Sequence, residues 1–256
     1  MDLQLTNTNA LVGGSTQGIG KATAIALANE GVNVTLIARN EDVLKQVLSE
    51  LPGPGQHGYI VADFSKPEEL TEALSNNHKF HILVNNTGGP KSGLIHEADL
   101  DEFQNAFNMH VICNQILVKA CLPFMKSENY GRIINVISTS VKEPIPSLGV
   151  SNTIRNAVAN WAKTLAGELG QFGITVNNVL PGFTDTARLH QIIKAKAKRE
   201  GTSDAEMEEI MKNYVPVKRF AQPEETADAI VFLASKRSSY LNGINLPVDG
   251  GRTKSL

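Results

Sequence analysis

No apolar run in the 256-residue chain approaches the length that spans a bilayer, so no membrane-embedded segment is expected. A basic stripe is lacking too. With a formal charge of −2 there is no electrostatic footprint for nucleic acid, which excludes DNA or RNA binding as a main role. Cysteine is scarce: Cys113 and Cys121 fall in one predicted apolar helix, in neither a metal-ligand pattern nor a disulfide-dense context. They read as buried free thiols, and no metal site is expected. Residues 1–9 are polar and lack the charged and apolar regions of a secretory leader. No linker, internal repeat or low-complexity tract breaks the chain, so a single domain over residues 1–256 with one large core is expected, soluble and cytoplasmic.

What is present centres on Ala10-Leu11-Val12-Gly13-Gly14-Ser15-Thr16-Gln17-Gly18-Ile19-Gly20. A short apolar run of strand length passes through glycines into a segment where Ile19, Ala22 and Ala26 recur on one helical stripe. Such a passage gathers free backbone N–H groups and the positive end of a helix dipole at one point, which suits a pyrophosphate. Gly14, Gly18 and Gly20 would share three tasks: a positive φ, a close backbone approach to phosphate and tight helix–strand packing. The spacing is Gly-x-x-x-Gly-x-Gly rather than the commoner Gly-x-Gly-x-x-Gly. A glycine-rich turn and nothing more is the competing reading.

Strand and helix patterns alternate along the whole chain, which predicts an α/β protein with a parallel sheet covered on both faces. Further strands are expected at 33–38, 59–62, 82–84, 132–137, 175–180 and 245–248. Helices are expected from Glu41, after a capping box at Ser65 and Glu68, from Asp99 to about Met125, over 151–170 and over 223–234. Residues 187–214 read as two charged helices hinged at Gly201, with a capping box at Ser203 and Glu206, and 187–215 is expected to be a mobile lid. The apolar residues Ile154, Ala157, Val158, Trp161, Ala162, Leu165, Ala166 and Leu169 sweep far more than one stripe of about 100°. That surplus predicts a homo-oligomer, a tetramer or at least a dimer, built on the two long helices.

Five motifs in order carry a resemblance to the short-chain dehydrogenase/reductase family. They are Gly14-x-x-x-Gly18-Ile19-Gly20, Asn85-Asn86-Thr87-Gly88, Gly131-Arg132-Ile133-Ile134-Asn135 leading to Ser138, Val176-Asn177 with Pro181-Gly182, and Val248-Asp249-Gly250-Gly251. The resemblance spans nearly the whole length and is strongest to 3-oxoacyl-acyl-carrier-protein reductases. It implies a doubly wound Rossmann sheet with a nicotinamide cofactor across the carboxyl ends of the strands. By position it implies that Gly14, Ser15, Gly18, Ile19 and Gly20 cradle the pyrophosphate, Asp63 meets the adenine, Asn86 and Gly88 the adenosine ribose region, and Thr186 the nicotinamide amide. A polar strand end is the plainer reading of Asp63, and a sheet-stabilising turn that of Asn86. Where the second strand ends, an acidic side chain would select NAD, but the chain has Ala38-Arg39-Asn40. Arg39 can pair with a 2′-phosphate, so NADP is the expected cofactor, with an exposed turn arginine as the alternative.

The family's active site has a Ser, a Tyr-x-x-x-Lys and an Asn on the preceding long helix. Ser138 matches the first, but Ser151 and Arg155 stand at the Tyr and Lys positions and His110 at the Asn position. A phenol with its pKa lowered by an ammonium can protonate the developing alkoxide; Ser151 is far less acidic, and Arg155 keeps the charge without releasing a proton. Arg155 can still hydrogen-bond ribose hydroxyls. His110 could act as the acid, directly or through a water, or be a core histidine. The reading is therefore an NADP-dependent oxidoreductase interconverting a carbonyl and a secondary alcohol on a small carbonyl or acyl thioester substrate. A catalytically silent dinucleotide sensor or assembly subunit is the alternative from another class.

Overall fold

Ala10 and Val12 face one way along the first strand and Leu11 the other, yet all three are fully buried. A strand apolar on both sides needs cover on both, and that pattern recurs in the central strands at 82–85, 131–136 and 174–181. The computed structural model describes residues 1–76 and 78–255. Seven strands, β1 (Asn9–Gly13), β2 (Asn33–Ala38), β3 (Gly58–Val61), β4 (Ile82–Asn85), β5 (Gly131–Val136), β6 (Ile174–Pro181) and β7 (Asn245–Val248), pair in parallel in the order β3-β2-β1-β4-β5-β6-β7. The strand order reverses between β1 and β4. In doubly wound sheets that reversal opens a crevice at the carboxyl ends, where ligands bind.

One face is covered by α1 (Gly18–Asn29), α2 (Glu41–Glu50) and α9 (Pro223–Ala234), whose Leu27, Leu44 and Ile230 pack with Val12, Leu36 and Val84. Leu11, Leu83 and Ile133 point to the opposite face. There they meet α3 (Pro67–Ala73), α5 (Cys113–Ser127) and α6 (Gly149–Leu169) through Leu70, Leu117 and Ala162. Cys113 and Cys121 lie in this second core as free thiols, and burial pushes both up to about 12, so neither is a nucleophile at neutral pH. Helices α7 (Ala187–Glu200) and α8 (Asp204–Asn213) carry a small core of their own, Leu189, Ile193, Ala197, Met207 and Met211 with Phe220. Gly201 joins them in the left-handed conformation, and Ser203 and Glu206 form the expected capping box.

Two local expectations are corrected. Ser65 does not cap α3: its N–H and hydroxyl both donate to Asp63, and the helix starts instead with Pro67 in its first turn. The helix expected from Asp99 to Met125 is interrupted. α4 (Leu100–Phe107) runs into a π-helical turn at Asn108–Ile112 before α5 begins, which rotates His110 relative to the residues before it. The surplus apolar surface of α6 is in part covered within the chain, where the Trp161 indole donates to Gln115 at 2.9 Å and Ile154 and Val150 pack on Ala106 of α4. Phe107 and Ile112 remain 39% and 37% exposed. No helix among the described residues is long and apolar enough to cross a membrane.

Candidate active site

The glycine turn opens at the β1/β4 crevice. Gly14 and Gly18 have φ of +56° and +52°, which L side chains rarely adopt. A methyl group on Gly20 would collide with the Gly14 carbonyl, so α1 can approach the turn this closely only without a side chain there. α1 begins with no side-chain cap and no acid in its first turn, leaving its amide groups and dipole uncompensated. Ser15 is fully buried and its hydroxyl has no partner among the described residues. This cradle of bare N–H groups and one unpaired hydroxyl fits a pyrophosphate. Ile19 packs against the core beneath the turn.

Asn86 donates from Nδ2 to the Gly13 carbonyl at 3.0 Å, which ties the β4 loop to the turn. Thr186 caps α7 by accepting from Leu189, and its methyl lies over Gly18, so the start of α7 and the turn share one wall. Arg39 is exposed just past β2 and forms no ion pair among the described residues. Asp63, just past β3, is partly buried, which raises its pKa. The two hydrogen bonds from Ser65 and the charge of Arg39 outweigh that and hold the carboxyl below its ordinary value.

Beyond β5 the Ser138 hydroxyl accepts the Ser140 N–H at 3.0 Å, so its own proton is free to donate. Ser151 is half-buried in the first turn of α6, four residues before Arg155, so both project from one side of the helix. Arg155 is 8% exposed and donates from Nη1 to the Val136 carbonyl at 2.9 Å, while its Nε has no partner among the described residues. Burial, then the charge of Arg188, pulls its pKa down to about 10. His110 is buried within reach of the Gly88 backbone, and its Nε2 has no partner among the described residues. Burial first, and then the Arg155 charge, hold it well below the ordinary histidine range. It is neutral at neutral pH.

The four tyrosines lie elsewhere: Tyr130 precedes β5, at the opposite end of the sheet from Ser138, Tyr59 bonds Glu41, and Tyr214 and Tyr240 are exposed.

Sequence reasoning missed two features. Asn85, Asn135, Asn178 and Asn245 lie in register on adjacent strands, and each amide donates to the next at 2.7–2.8 Å. The signal was an asparagine in each of four neighbouring strands, though at a different place in each, from the first residue of β7 to the last of β4. The second is Arg188, at the start of α7, which reaches across to the Pro90 carbonyl and lies beside Arg155. Its partners are distant in sequence, and no spacing marks it.

A family model described as Enoyl-(Acyl carrier protein) reductase matches residues 14–253. The NADPH-dependent reductase BacG of Bacillus subtilis is 29% identical, over 98% of this chain and 100% of that protein. The uncharacterized oxidoreductase YvrD of the same organism is 32% identical, over 100% of both chains. Among solved structures, L-sorbose reductase from Gluconobacter frateurii, complexed with NADPH and L-sorbose, superposes with a TM-score of 0.93 at 30% identity, covering 100% of both chains.

Proposed function

The chain belongs to the short-chain dehydrogenase/reductase family, and from that premise we propose that it is an NADP(H)-dependent oxidoreductase interconverting a carbonyl and a secondary alcohol. The observation that carries this reading is the uncapped, glycine-lined start of α1 at the strand-order reversal, with an exposed Arg39 just past the end of β2. Relatives described as NADPH-dependent, and a neighbour complexed with NADPH, support the same cofactor.

When bound, NADPH supplies the hydride to the carbonyl carbon. Gly14, Ser15, Gly18, Ile19 and Gly20 would hold its pyrophosphate, Asp63 the adenine, Asn86 and Gly88 the adenosine ribose region, Arg155 ribose hydroxyls and Thr186 the nicotinamide amide. Ser138, accepting one bond from the Ser140 N–H, would donate its proton toward the substrate oxygen. His110 is neutral, so it carries no imidazolium proton to give. That leaves the Ser138 and Ser151 hydroxyls and water to protonate the oxygen, all weak acids. Turnover of a small carbonyl or acyl thioester is therefore slow, and NADPH binding without any turnover would favour the silent-sensor alternative.

Arg39 should set the cofactor preference. A charge-assisted bond to the 2′-phosphate is worth roughly 1.5–3 kcal/mol, or about tenfold or more in affinity. Arg39→Ala is expected to bring NADPH affinity down toward that of NADH, read by fluorescence titration; an unchanged ratio would refute the assignment.

Helices α7 and α8 would act as the lid. They have a separate core and are tied down by Arg188 to Pro90 and by Arg199 to Ser147. Hydrogen exchange in 187–215 is expected to slow on binding NADPH, and protection equal to the sheet in the free protein would exclude a lid. The exposed Phe107 and Ile112 support association through the α4–α5 face into a dimer or tetramer. A monomer by light scattering at micromolar concentration would contradict it.

A further inference from the structure

We propose that Arg155 and Arg188 form a carboxylate-binding pair beside the reacting centre, so that the substrate is an oxo acid. The inference rests on the oxidoreductase reading above and narrows its substrate class, since a 3-oxoacyl thioester carries no such carboxylate.

Three donor nitrogens converge on one spot. A methyl group placed on Gly89 would lie 3.7 Å from Arg155 Nη2 and 4.0 Å from both Nε and Nη2 of Arg188. Those are ordinary contact distances, so the glycine leaves room there for another atom. The spot is bounded by the β4 loop, by α6 one turn beyond Ser151, and by the first turn of α7.

The charges there are unbalanced. Neither arginine forms an ion pair among the described residues, and His110, the other titratable group beside Arg155, is neutral. Arg155 is more than nine-tenths buried, with Nε unsatisfied. Two adjacent guanidinium groups, Arg155 buried and Arg188 half-buried, with no counter-ion among the described residues are costly to fold around, and an anion seated between them lowers that cost. Two forked donors also match the planar geometry of a carboxylate better than a point charge would. In the reaction the ketone carbon gains a hydride from NADPH and its oxygen a proton. The carboxylate is unchanged, and NADP+ and the hydroxy acid leave.

The test titrates the protein saturated with NADP+ with pyruvate, acetoacetate and levulinate, each beside its methyl ester, by isothermal calorimetry. The esters keep the ketone and remove the charge. At least one acid is expected to bind about tenfold or more tightly than its ester. Arg188→Gln should erase most of that gap, and Arg188→Lys should retain part of it. NADPH affinity of Arg188→Gln should stay within about twofold of the unaltered protein. A loss of NADPH affinity as large as the loss for the acid would assign Arg188, like Arg155, to the cofactor and overturn the proposal. Acids that bind no better than their esters, undetectable binding included, overturn it too, while intact NADPH binding leaves the oxidoreductase reading standing. Failure of NADPH itself to bind removes both.

Discussion

The double variant Ser151→Tyr with Arg155→Lys is expected to reduce acetoacetate about 10²-fold or more faster than the unaltered protein, followed as NADPH oxidation. A positioned acid contributes roughly 10²–10⁴-fold, and the unaltered site offers none of suitable pKa. Ser151 is half-buried four residues before Arg155 on α6, so a phenol placed there projects toward the same region as the cation. Lysine brings a compact ammonium that lowers the phenol pKa, whereas the Arg155 guanidinium is held by the Val136 carbonyl and releases no proton at neutral pH. Either change alone should gain less, because the two groups act as a unit. Fast turnover by the unaltered protein, with a pH profile abolished by His110→Ala, would place the proton relay on the histidine instead.

The asparagine ladder gives the second large effect, on stability. Asn135 is fully buried, donates to Asn178 and accepts from Asn85. Asn135→Leu keeps the volume but strands one donor and one acceptor in the sheet, each costing about 1–3 kcal/mol, so a loss of roughly 2–6 kcal/mol is expected in urea unfolding. At the exposed end of the ladder, Asn245→Leu strands a single donor, the Nδ2 of Asn178, and should cost only about 1–3 kcal/mol. Equal losses at the two positions would mean that the amides do not act as a buried chain.

The fold was legible because its strands are apolar on both faces and its helix starts carry local signals. α9 and β7 fall on the expected residues, with Pro223 in the first turn of α9. The Ser203 box was legible for the same reason, since both partners lie within one turn. Ser65 misled because spacing alone cannot show that Asp63 takes its hydroxyl. The π-helical turn left no trace either, since apolar residues continue through Asn108–Ile112 and only the hydrogen-bonding register changes. In the site, the glycine cradle could be read from spacing because its chemistry is backbone chemistry over a few residues. Arg188 could not. Its meaning depends on Pro90 and Arg155, which only the folded sheet brings to it. The neutrality of His110 likewise follows from burial and a neighbouring charge, neither of which a motif records.

The central claim is that the crevice at the carboxyl ends of β1 and β4 holds NADPH. Calorimetric titration of the unaltered protein with NADPH and with NADH tests it most directly. One NADPH per chain, bound about tenfold or more tightly than NADH, is the predicted result. No binding of either dinucleotide, or NADH bound more tightly than NADPH, would contradict it.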